Sequence, residues 1–206
     1  FRETEFAGLR FGVNAATLIP RPETAALVEW VSGELQTGMK VLDIGTGSGC
    51  IAISLAWRHP DCCVSGMDIS ADAVAMAERN ARCNAVEVEW RVGDILHFER
   101  EQWGKYDVIV SNPPYVRECE KAEMEDRVLC FEPSQALFVP DEDPLVFYRR
   151  IGEFGQRQLN PGGKLFFEIN EAFGPQMLEL MEQCGYTNLE LRKDFYGKDR
   201  MVKAEL

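Results

Sequence analysis

The chain has 206 residues, of which 46% are hydrophobic, and this is sufficient for one α/β domain with a substantial core. Its 34 acidic residues outnumber its 22 lysines and arginines, so the formal net charge is −12 at pH 7. Proteins that bind nucleic acid through its phosphates usually carry a basic surface, and this charge therefore argues against direct nucleic-acid binding.

The cysteine and apolar patterns exclude further classes of protein. The seven cysteines include no C-x-x-C pair, which is typical of reduced thiols in a cytoplasmic protein rather than of a disulfide framework. With only His59 and His97 as histidine ligands, we expect no structural zinc site. No apolar run approaches the ~18 residues that a membrane span needs, and we expect no membrane partner.

The first segment leads into a helix. Apolar residues in 1–17 are spaced as in a short half-buried strand or hairpin, and an apolar stripe then predicts a helix from Pro22 to about Gln36. Pro22 suits the first turn of that helix, and Glu23 favours its positive end. Arg21 is either a solvated charge or a residue that lines a cleft, and the sequence leaves both interpretations open.

A glycine loop joins the next strand and helix. Strand 40–44 is followed by Gly45-Thr46-Gly47-Ser48-Gly49 and by a helix from Cys50 to about Arg58. This arrangement brings backbone N–H groups close to a ligand at a helix N-terminus, although a tight turn would look similar. The Gly-x-Gly-x-Gly spacing differs from the dinucleotide fingerprint, and Asp43 before the loop suits a cationic amino group better than a phosphate.

Two acidic residues follow the next two strands. Asp68 ends strand 64–68, 23 residues after Gly45, where its carboxylate can accept both hydroxyls of a ribose. The alternative is a charge near the helix that Ser70 would cap. Asp94 follows an edge strand over 86–92 and can accept from an adenine amino group while Ile95 packs on the ring, unless Asp94 belongs to a simple Gly-Asp turn.

The segment Ser111-Asn112-Pro113-Pro114-Tyr115 ends a buried strand over 106–110. Each proline lacks an N–H and holds φ near about −65°, and residues before proline are kept out of the helical region. Asn112 therefore lies on stiff, extended backbone at the carboxyl end of a strand, where ligands of open α/β sheets bind. A proline-rich turn is the alternative interpretation.

The remaining elements complete an alternating pattern. Val116 to Pro144 is long, and residues 118–143 carry nine acidic residues against Lys121 and Arg127, which predicts a lid or partner surface or else a solvated loop. Then follow a helix over 145–159 closed by 160–163, a strand over 164–169, a helix over 173–184, and strands over 186–192 and 201–206. This order predicts a doubly wound, mostly parallel seven-stranded α/β sheet with an antiparallel last strand.

These motifs resemble the HemK/PrmC family, the release-factor glutamine methyltransferases, over nearly the whole chain. The resemblance is carried by 18–24, 43–49, Asp68, 111–115, Phe131-Glu132-Pro133 with Ala136-Leu137, and 147–151. The family also has a small helical N-terminal domain that residues 1–206 do not include, so we expect either a catalytic-domain fragment or a chain whose first part is not seen. The resemblance thus implies that residues 1–206 form a catalytic domain of the Rossmann-like methyltransferase type, with 1–22 as a lead-in.

The resemblance implies S-adenosyl-L-methionine as methyl donor, S-adenosyl-L-homocysteine as product, and peptide chain release factors as protein substrates. The methyl acceptor would be the side-chain amide nitrogen of glutamine in their Gly-Gly-Gln motif. The implied catalytic residues are Asn112 and Pro113, and the implied substrate-binding residues are Asn112, Pro113, Pro114, Tyr115 and Arg21. The implied donor-binding residues are Gly45, Thr46, Gly47, Ser48, Gly49, Asp68, Ile69, Asp94, Ile95 and Asn112.

Other functions fit parts of the same pattern. Asn-Pro-Pro-Tyr also serves enzymes that methylate exocyclic amines of nucleobases, and a sister branch of the family acts on a ribosomal protein glutamine. The first of these usually needs a basic groove, which the net charge disfavours. A nicotinamide-dependent oxidoreductase is disfavoured by the glycine spacing, and a non-catalytic module that keeps the donor pocket stays open as a third alternative.

Overall fold

A seven-stranded sheet forms the centre of the computed structural model, which describes residues 2–117, 120, 133 and 138–206. The strands within these residues are β1 (Arg2–Phe6), β2 (Leu9–Val13), β3 (Lys40–Ile44), β4 (Cys63–Asp68), β5 (Glu89–Val92), β6 (Tyr106–Ser111), β7 (Val116–Arg117), β8 (Phe138–Val139), β9 (Leu159–Glu168), β10 (Thr187–Lys193) and β11 (Asp199–Glu205). The helices are α1 (Pro22–Glu34), α2 (Cys50–Arg58), α3 (Ala71–Cys83), α4 (Val146–Gln158) and α5 (Gly174–Gln183), with 3-10 turns at Ile95–Arg100 and Glu171–Phe173.

The sheet has the order β10-β11-β9-β6-β3-β4-β5. The neighbours β3, β4, β5, β6 and β9 pair in parallel, whereas β11 is antiparallel to both β9 and β10. The predicted doubly wound sheet with an antiparallel last strand is therefore confirmed. After β5 the chain returns to the other side of β3 to form β6, so the strand order reverses beside β3 and opens a crevice at the carboxyl ends.

Both faces of the sheet are covered by apolar residues. Val108 and Val110 of β6 pack in one cluster with residues of α1 and α2, and the intervening Ile109 packs in a second cluster with residues of α4 and α5. Successive strand residues point to opposite faces, which explains why β6 is apolar at every one of these positions.

The predicted N-terminal hairpin is present as the antiparallel pair β1-β2. Asn80 of α3, which is 2% exposed, joins this hairpin to the glycine loop. Its amide accepts from Gly12 N at 2.7 Å and donates to Gly12 O at 3.0 Å and to Ser48 O at 2.8 Å. The hairpin is thereby held against the loop that the sequence predicts to bind a ligand.

Two predicted boundaries were wrong. Strand β5 begins at Glu89 instead of residue 86, and β9 begins at Leu159, so that Asn160-Pro161-Gly162-Gly163 lies within the strand and does not close the helix as a separate turn. The pairing of β6 with β9 jumps from Tyr106↔Leu159 to Val108↔Lys164. The proline and the glycines are accommodated in this irregular stretch, where strand pairing is interrupted.

Most of the predicted acidic loop over 118–143 lies outside the described residues, and the proposed lid stays a prediction. Of the motif residues Phe131, Glu132, Pro133, Ala136 and Leu137, only Pro133 is described. None of the helices in the described part of the chain has the length and apolar content to cross a membrane.

Gly49 should be the most sensitive glycine of the loop to substitution. Its φ is +83°, and an added Cβ would lie 2.9 Å from side-chain atoms of both Ile53 and Trp90. Gly38 has a similar φ of +81° but open space around the Cβ position. We expect Gly49→Ala to lower the free energy of unfolding by ~2–5 kcal/mol, from backbone strain plus overpacking.

The matched control is Gly38→Ala, for which strain alone predicts a loss of ~1–2 kcal/mol. Urea unfolding of both variants measures the difference. Equal losses would contradict the close packing inferred around Gly49.

Candidate active site

A cavity of about 490 Å³ lies at the carboxyl ends of β3, β4, β5 and β6. It is the crevice expected where the strand order reverses. The cavity is lined by most of the site residues predicted from sequence: Arg21, Gly45, Thr46, Gly47, Ser48, Asp68, Ile69, Asp94, Ile95, Asn112, Pro113 and Pro114. Motifs up to 93 residues apart in the chain, Arg21 and Pro114, thus meet in one place.

Two predicted site residues do not line this cavity. Gly49 faces the packed side chains of Ile53 and Trp90, and its role is to let α2 approach the sheet. Tyr115 packs against the core cluster beneath α4 and α5, and its hydroxyl donates to Glu168 Oε1 at 3.1 Å. Its ring is therefore placed to hold the backbone after Asn112 and not to form the predicted wall of the cavity.

The glycine loop is shaped by hydrogen bonds to β4. The N–H groups of Gly45 and Thr46 both donate to Met67 O at 2.9 Å, and Gly49 N donates to Thr46 O at 2.8 Å. Helix α2 starts directly afterwards, with Cys50 and Ile51 lining the cavity. The positive end of that helix therefore faces the cavity, as the sequence predicted.

Asp43 supports the loop from behind. Its side chain is fully buried, is not part of the cavity lining, and accepts from the Thr46 hydroxyl at 2.7 Å. Because the carboxylate does not reach the cavity, it does not make the contact with a cationic amino group that the sequence had suggested. Burial raises the pKa of Asp43 to about 7, and the hydrogen bond from Thr46 offsets part of that rise.

Asp68 joins the loop to the next helix. Its Oδ2 accepts from Gly47 N at 2.9 Å, and its Oδ1 accepts from Ser70 N at 3.0 Å. Ser70 also caps α3 by accepting from Ala73 N at 3.2 Å, so the helix cap expected from the sequence is confirmed, while the ribose contact of Asp68 stays a prediction. Each carboxylate oxygen keeps a second lone pair, and the residue lines the cavity.

Asp94 has both local and cavity contacts. Its Oδ1 accepts from Leu96 N at 2.9 Å, and its Oδ2 lies 2.7 Å from His97 Nδ1. The Gly-Asp turn considered from the sequence is therefore formed, and Asp94 lines the cavity as well. Ile95 and Ile69 both line the cavity and give it apolar surface. Ile95 is 6% exposed and Ile69 is 59% exposed.

The end of β6 is bonded to the end of β3. The hydroxyl of Ser111, which is fully buried, donates to Ile44 O at 2.6 Å. Ile44 directly precedes the glycine loop, and Asn112 directly follows Ser111. This bond sets the two predicted motifs side by side at the cavity.

A hydrogen-bonded group lies behind Asn112. The Nδ2 atom of Asn112 is 3.4 Å from Thr24 Oγ1, and the Thr24 hydroxyl donates to Glu168 Oε2 at 2.6 Å. Glu168 is 1% exposed, and burial raises its pKa while the hydroxyls of Thr24 and Tyr115 and the charge of Arg200 offset part of the rise. Burial and the Glu168 carboxylate raise the pKa of Tyr115, so its hydroxyl keeps its proton.

Sequence reasoning did not identify Thr24 and Glu168 as site residues. The available signal was a charged residue directly after the apolar run Leu165-Phe166-Phe167, at the carboxyl end of a buried strand. The lining residues Phe138, Pro140 and Phe147 were not assigned to the site either. They come from the part of the chain beyond β6, where the sequence predicted a lid or partner surface over 118–143 and where 147–151 carried part of the resemblance, but where no residue was assigned to a ligand.

A second cluster of polar residues lies at the amino ends of the strands, opposite to the cavity. Ligand atoms of His59, Asp61 and Cys62 lie within 4.8 Å of one another. Each side chain has a hydrogen bond of its own, His59 with Ser32, Asp61 with Thr37, and Cys62 with the backbone of residue 36. These bonds join the end of α1 to the start of β4, away from the cavity.

Comparison with known proteins places the chain in a family. Residues 22–134 match the family model described as "Methyltransferase small domain". The release factor glutamine methyltransferase of Bacteroides thetaiotaomicron is 52% identical over 200 residues, which cover 97% of this chain and 72% of that protein. The chain belongs to the release factor glutamine methyltransferase family. The Flavobacterium psychrophilum member is 50% identical over 207 residues, covering 98% of this chain and 72% of the relative.

Solved structures agree on the fold. A methyltransferase from Pyrococcus furiosus superposes with a TM-score of 0.71 at 22% identity, covering 97% of this chain and 89% of that one. A Thermus thermophilus 16S rRNA N2 G1207 methyltransferase superposes with a TM-score of 0.68 at 19% identity, covering 99% of this chain and 49% of that one. The fold of the family is therefore shared with methyltransferases that act on different substrates, and the fold does not define the substrate.

The buried Asp43 should make stability depend on pH. Because its pKa is raised from 3.8 to about 7, the folded state binds its proton more tightly than the unfolded state between these values. The resulting stabilisation is present at low pH and is lost as pH rises through the folded pKa. In this window the unfolding free energy, relative to Asp43→Asn, should fall by ~1.4 kcal/mol per pH unit.

Urea unfolding of wild type and Asp43→Asn between about pH 5 and about pH 8 measures this difference. The gap between the two proteins should change mostly below about pH 7 and level off above it. Parallel curves would show that Asp43 has an ordinary pKa.

Proposed function

We propose that this protein transfers the methyl group of S-adenosylmethionine to the side-chain amide nitrogen of the glutamine in the Gly-Gly-Gln motif of peptide chain release factors. Family membership supports the reaction. The observation that carries the proposal is that the glycine loop, Asp68 and Asn112-Pro113 line one cavity although they follow three different strands.

The cavity fits the donor by its chemistry. Asp68 offers carboxylate lone pairs to two ribose hydroxyls, and the loop from Gly45 to Ser48 offers backbone close to the ligand without bulky side chains. Ile69 and Ile95 offer apolar surface for an adenine ring, and Asp94 can accept from its amino group. When bound, S-adenosylmethionine supplies an electrophilic methyl group on a sulfonium.

The acceptor nitrogen needs to be positioned more than it needs a base. An amide nitrogen is a poor nucleophile because its lone pair is delocalised into the carbonyl. We expect the Asn112 Oδ1 and the Pro113 carbonyl to accept from the substrate NH₂, which orients the nitrogen and stabilises the positive charge that grows on it. The extra proton then leaves to water, and the rigid prolines keep both acceptors in place.

The alternative methyl acceptors differ in the surface charge that an enzyme needs to bind them. A nucleobase amine is planar and has the same hydrogen-bonding needs as a glutamine amide, and the Thermus thermophilus enzyme is a 16S rRNA N2 G1207 methyltransferase. The net charge of −12 favours a protein substrate over a polyanion. Glutamine of a ribosomal protein is the second candidate, because it presents the same side chain.

The proposal is tested by incubating the protein with S-adenosylmethionine and either a release factor, ribosomal proteins or ribosomal RNA. Mass spectrometry of the digested products should show one added methyl group on the Gly-Gly-Gln peptide of the release factor. If only ribosomal protein or RNA were methylated, that molecule would replace the release factor as the proposed substrate. If the protein bound labelled donor but methylated none of the three, it would be a binding module.

Asn112→Ala removes the proposed side-chain acceptor. We expect kcat on the release factor to fall by ~100-fold or more, because a preorganised hydrogen bond to the developing charge is lost, while the Kd for the donor stays within a few-fold. Asn84→Ala, which removes an amide that bonds to backbone outside the cavity, is the control. Unchanged turnover of Asn112→Ala would remove this residue from the mechanism.

Asp68→Ala should act on the donor instead. Loss of a carboxylate that accepts two hydroxyls should raise the Kd for S-adenosylmethionine by ~10-fold or more, with a smaller effect on kcat at saturating donor. Calorimetry measures the Kd, and Asp72→Ala in the exposed first turn of α3 is the matched control. Equal donor affinity in Asp68→Ala and wild type would contradict the ribose assignment.

A further inference from the structure

The side chain of Asn112 has two ends that look alike but bond differently. The carbonyl oxygen accepts hydrogen bonds and the NH₂ group donates them, while their sizes are nearly equal. The proposed chemistry needs the oxygen to face the cavity, because the substrate presents an NH₂ group. Something on the protein side must therefore select one orientation of the amide.

Thr24 is the protein-side partner of this amide. Its Oγ1 lies 3.4 Å from Asn112 Nδ2, and this is the one hydrogen bond of the Asn112 side chain within the described residues. Thr24 is 2% exposed and lies in the first turn of α1, directly after the lead-in segment that lines the cavity. A hydroxyl alone could donate or accept, so Thr24 by itself does not select an orientation.

Glu168 removes that ambiguity. An ionised carboxylate only accepts hydrogen bonds, and two hydroxyls donate to this one: Thr24 to Oε2 at 2.6 Å and Tyr115 to Oε1 at 3.1 Å. Burial raises the pKa of Glu168, and the hydroxyls of Thr24 and Tyr115 and the charge of Arg200 offset part of that rise by stabilising the ionised form. Glu168 is 1% exposed, so water does not compete for these bonds, and a buried carboxylate without its donors would be strongly unfavourable.

The direction of one proton follows from this arrangement. The Thr24 hydroxyl has a single hydrogen, and it points at Glu168. Towards Asn112 the hydroxyl therefore presents only a lone pair, which requires the NH₂ end of Asn112 to face Thr24. The Oδ1 atom is then turned away from Thr24 and is available to a ligand in the cavity.

We propose that Thr24 and Glu168 are positioning residues that hold the Asn112 amide with its oxygen towards the substrate, and so select an acceptor that presents N–H donors. This inference rests on the proposed function and adds to it the origin of the acceptor preference. A flipped Asn112 would place its oxygen against the lone pairs of Thr24 and its NH₂ against the substrate NH₂. Both contacts would be repulsive, which is why the pair Thr24–Glu168 discriminates between the two orientations.

The test compares Thr24→Val, which loses the hydroxyl, with Thr24→Ser, which keeps it. We expect Thr24→Val to lower kcat on the release factor by ~10-fold, because it loses one hydrogen bond that orients a catalytic group. Thr24→Ser keeps that hydroxyl, and its kcat should stay within ~3-fold of wild type. The Kd for the donor should remain within ~2-fold in both, because neither change alters the groups proposed to bind it. Ser32→Ala, which removes a hydroxyl from the other end of α1, is the control.

A double-mutant cycle separates positioning from a merely structural role. In an Asn112→Ala background there is no amide to orient, so Thr24→Val should change the remaining kcat by less than ~2-fold. An equal fall in both backgrounds, or full activity of Thr24→Val alone, would overturn the inference. Wild-type protein that does not methylate the release factor would instead overturn the proposed function.

Glu168→Gln provides a second route if Thr24→Val does not fold. Glutamine has one acceptor oxygen for the two hydroxyls of Thr24 and Tyr115, so orientation of Asn112 should weaken and kcat should fall by ~3-fold or more. That loss should also vanish in the Asn112→Ala background. A loss that persists there would assign Glu168 to stability only.

Discussion

The hydrogen bond from the buried Ser111 hydroxyl to Ile44 O is the constraint on which the site depends. It joins the carboxyl ends of β6 and β3, the two strands between which the strand order reverses. The residue after Ile44 starts the glycine loop, and the residue after Ser111 is Asn112. The glycine loop and Asn112 are therefore held together by backbone and a short side chain, which leaves little freedom for either to move apart.

Around this junction, acidic side chains serve different purposes according to their surroundings. Asp43 is fully buried and shapes the loop through Thr46, whereas Asp68 uses backbone N–H groups to keep its carboxylate at the cavity. Glu168 is buried and faces hydroxyl donors. Some of the acidic residues behind the net charge of −12 therefore support the site from inside the protein. A negative net charge is compatible with a methyl donor and a methyl acceptor that carry no phosphate backbone.

The fold is shared with enzymes that methylate other molecules, so specificity must come from local groups. In the mechanism that we propose, Asn112 and Pro113 present oxygen acceptors from stiff backbone, and the contacts of Thr24 with Asn112 and Glu168 set which end of the amide is presented. A site that is built to receive N–H donors leaves buried polar groups unpaired when a substrate lacks them. We therefore propose that Thr24, which lines the cavity, and Glu168, which does not, act on the amide substrate through Asn112.

Local patterns in the sequence predicted the strands and helices of the main sheet and the position of Asn112 at the end of a strand. They could do so because hydrophobic period, glycine spacing and proline chemistry act within a few residues. The motifs after β3 and β4 were placed at one sheet edge by the rule for parallel strands. The exclusion of Gly49 and Tyr115 from the cavity, and the contact of Thr24 with Glu168 across 144 residues, were not predictable in this way. They depend on which face of a packed element a side chain takes, and that is set by long-range packing rather than by neighbours in the chain.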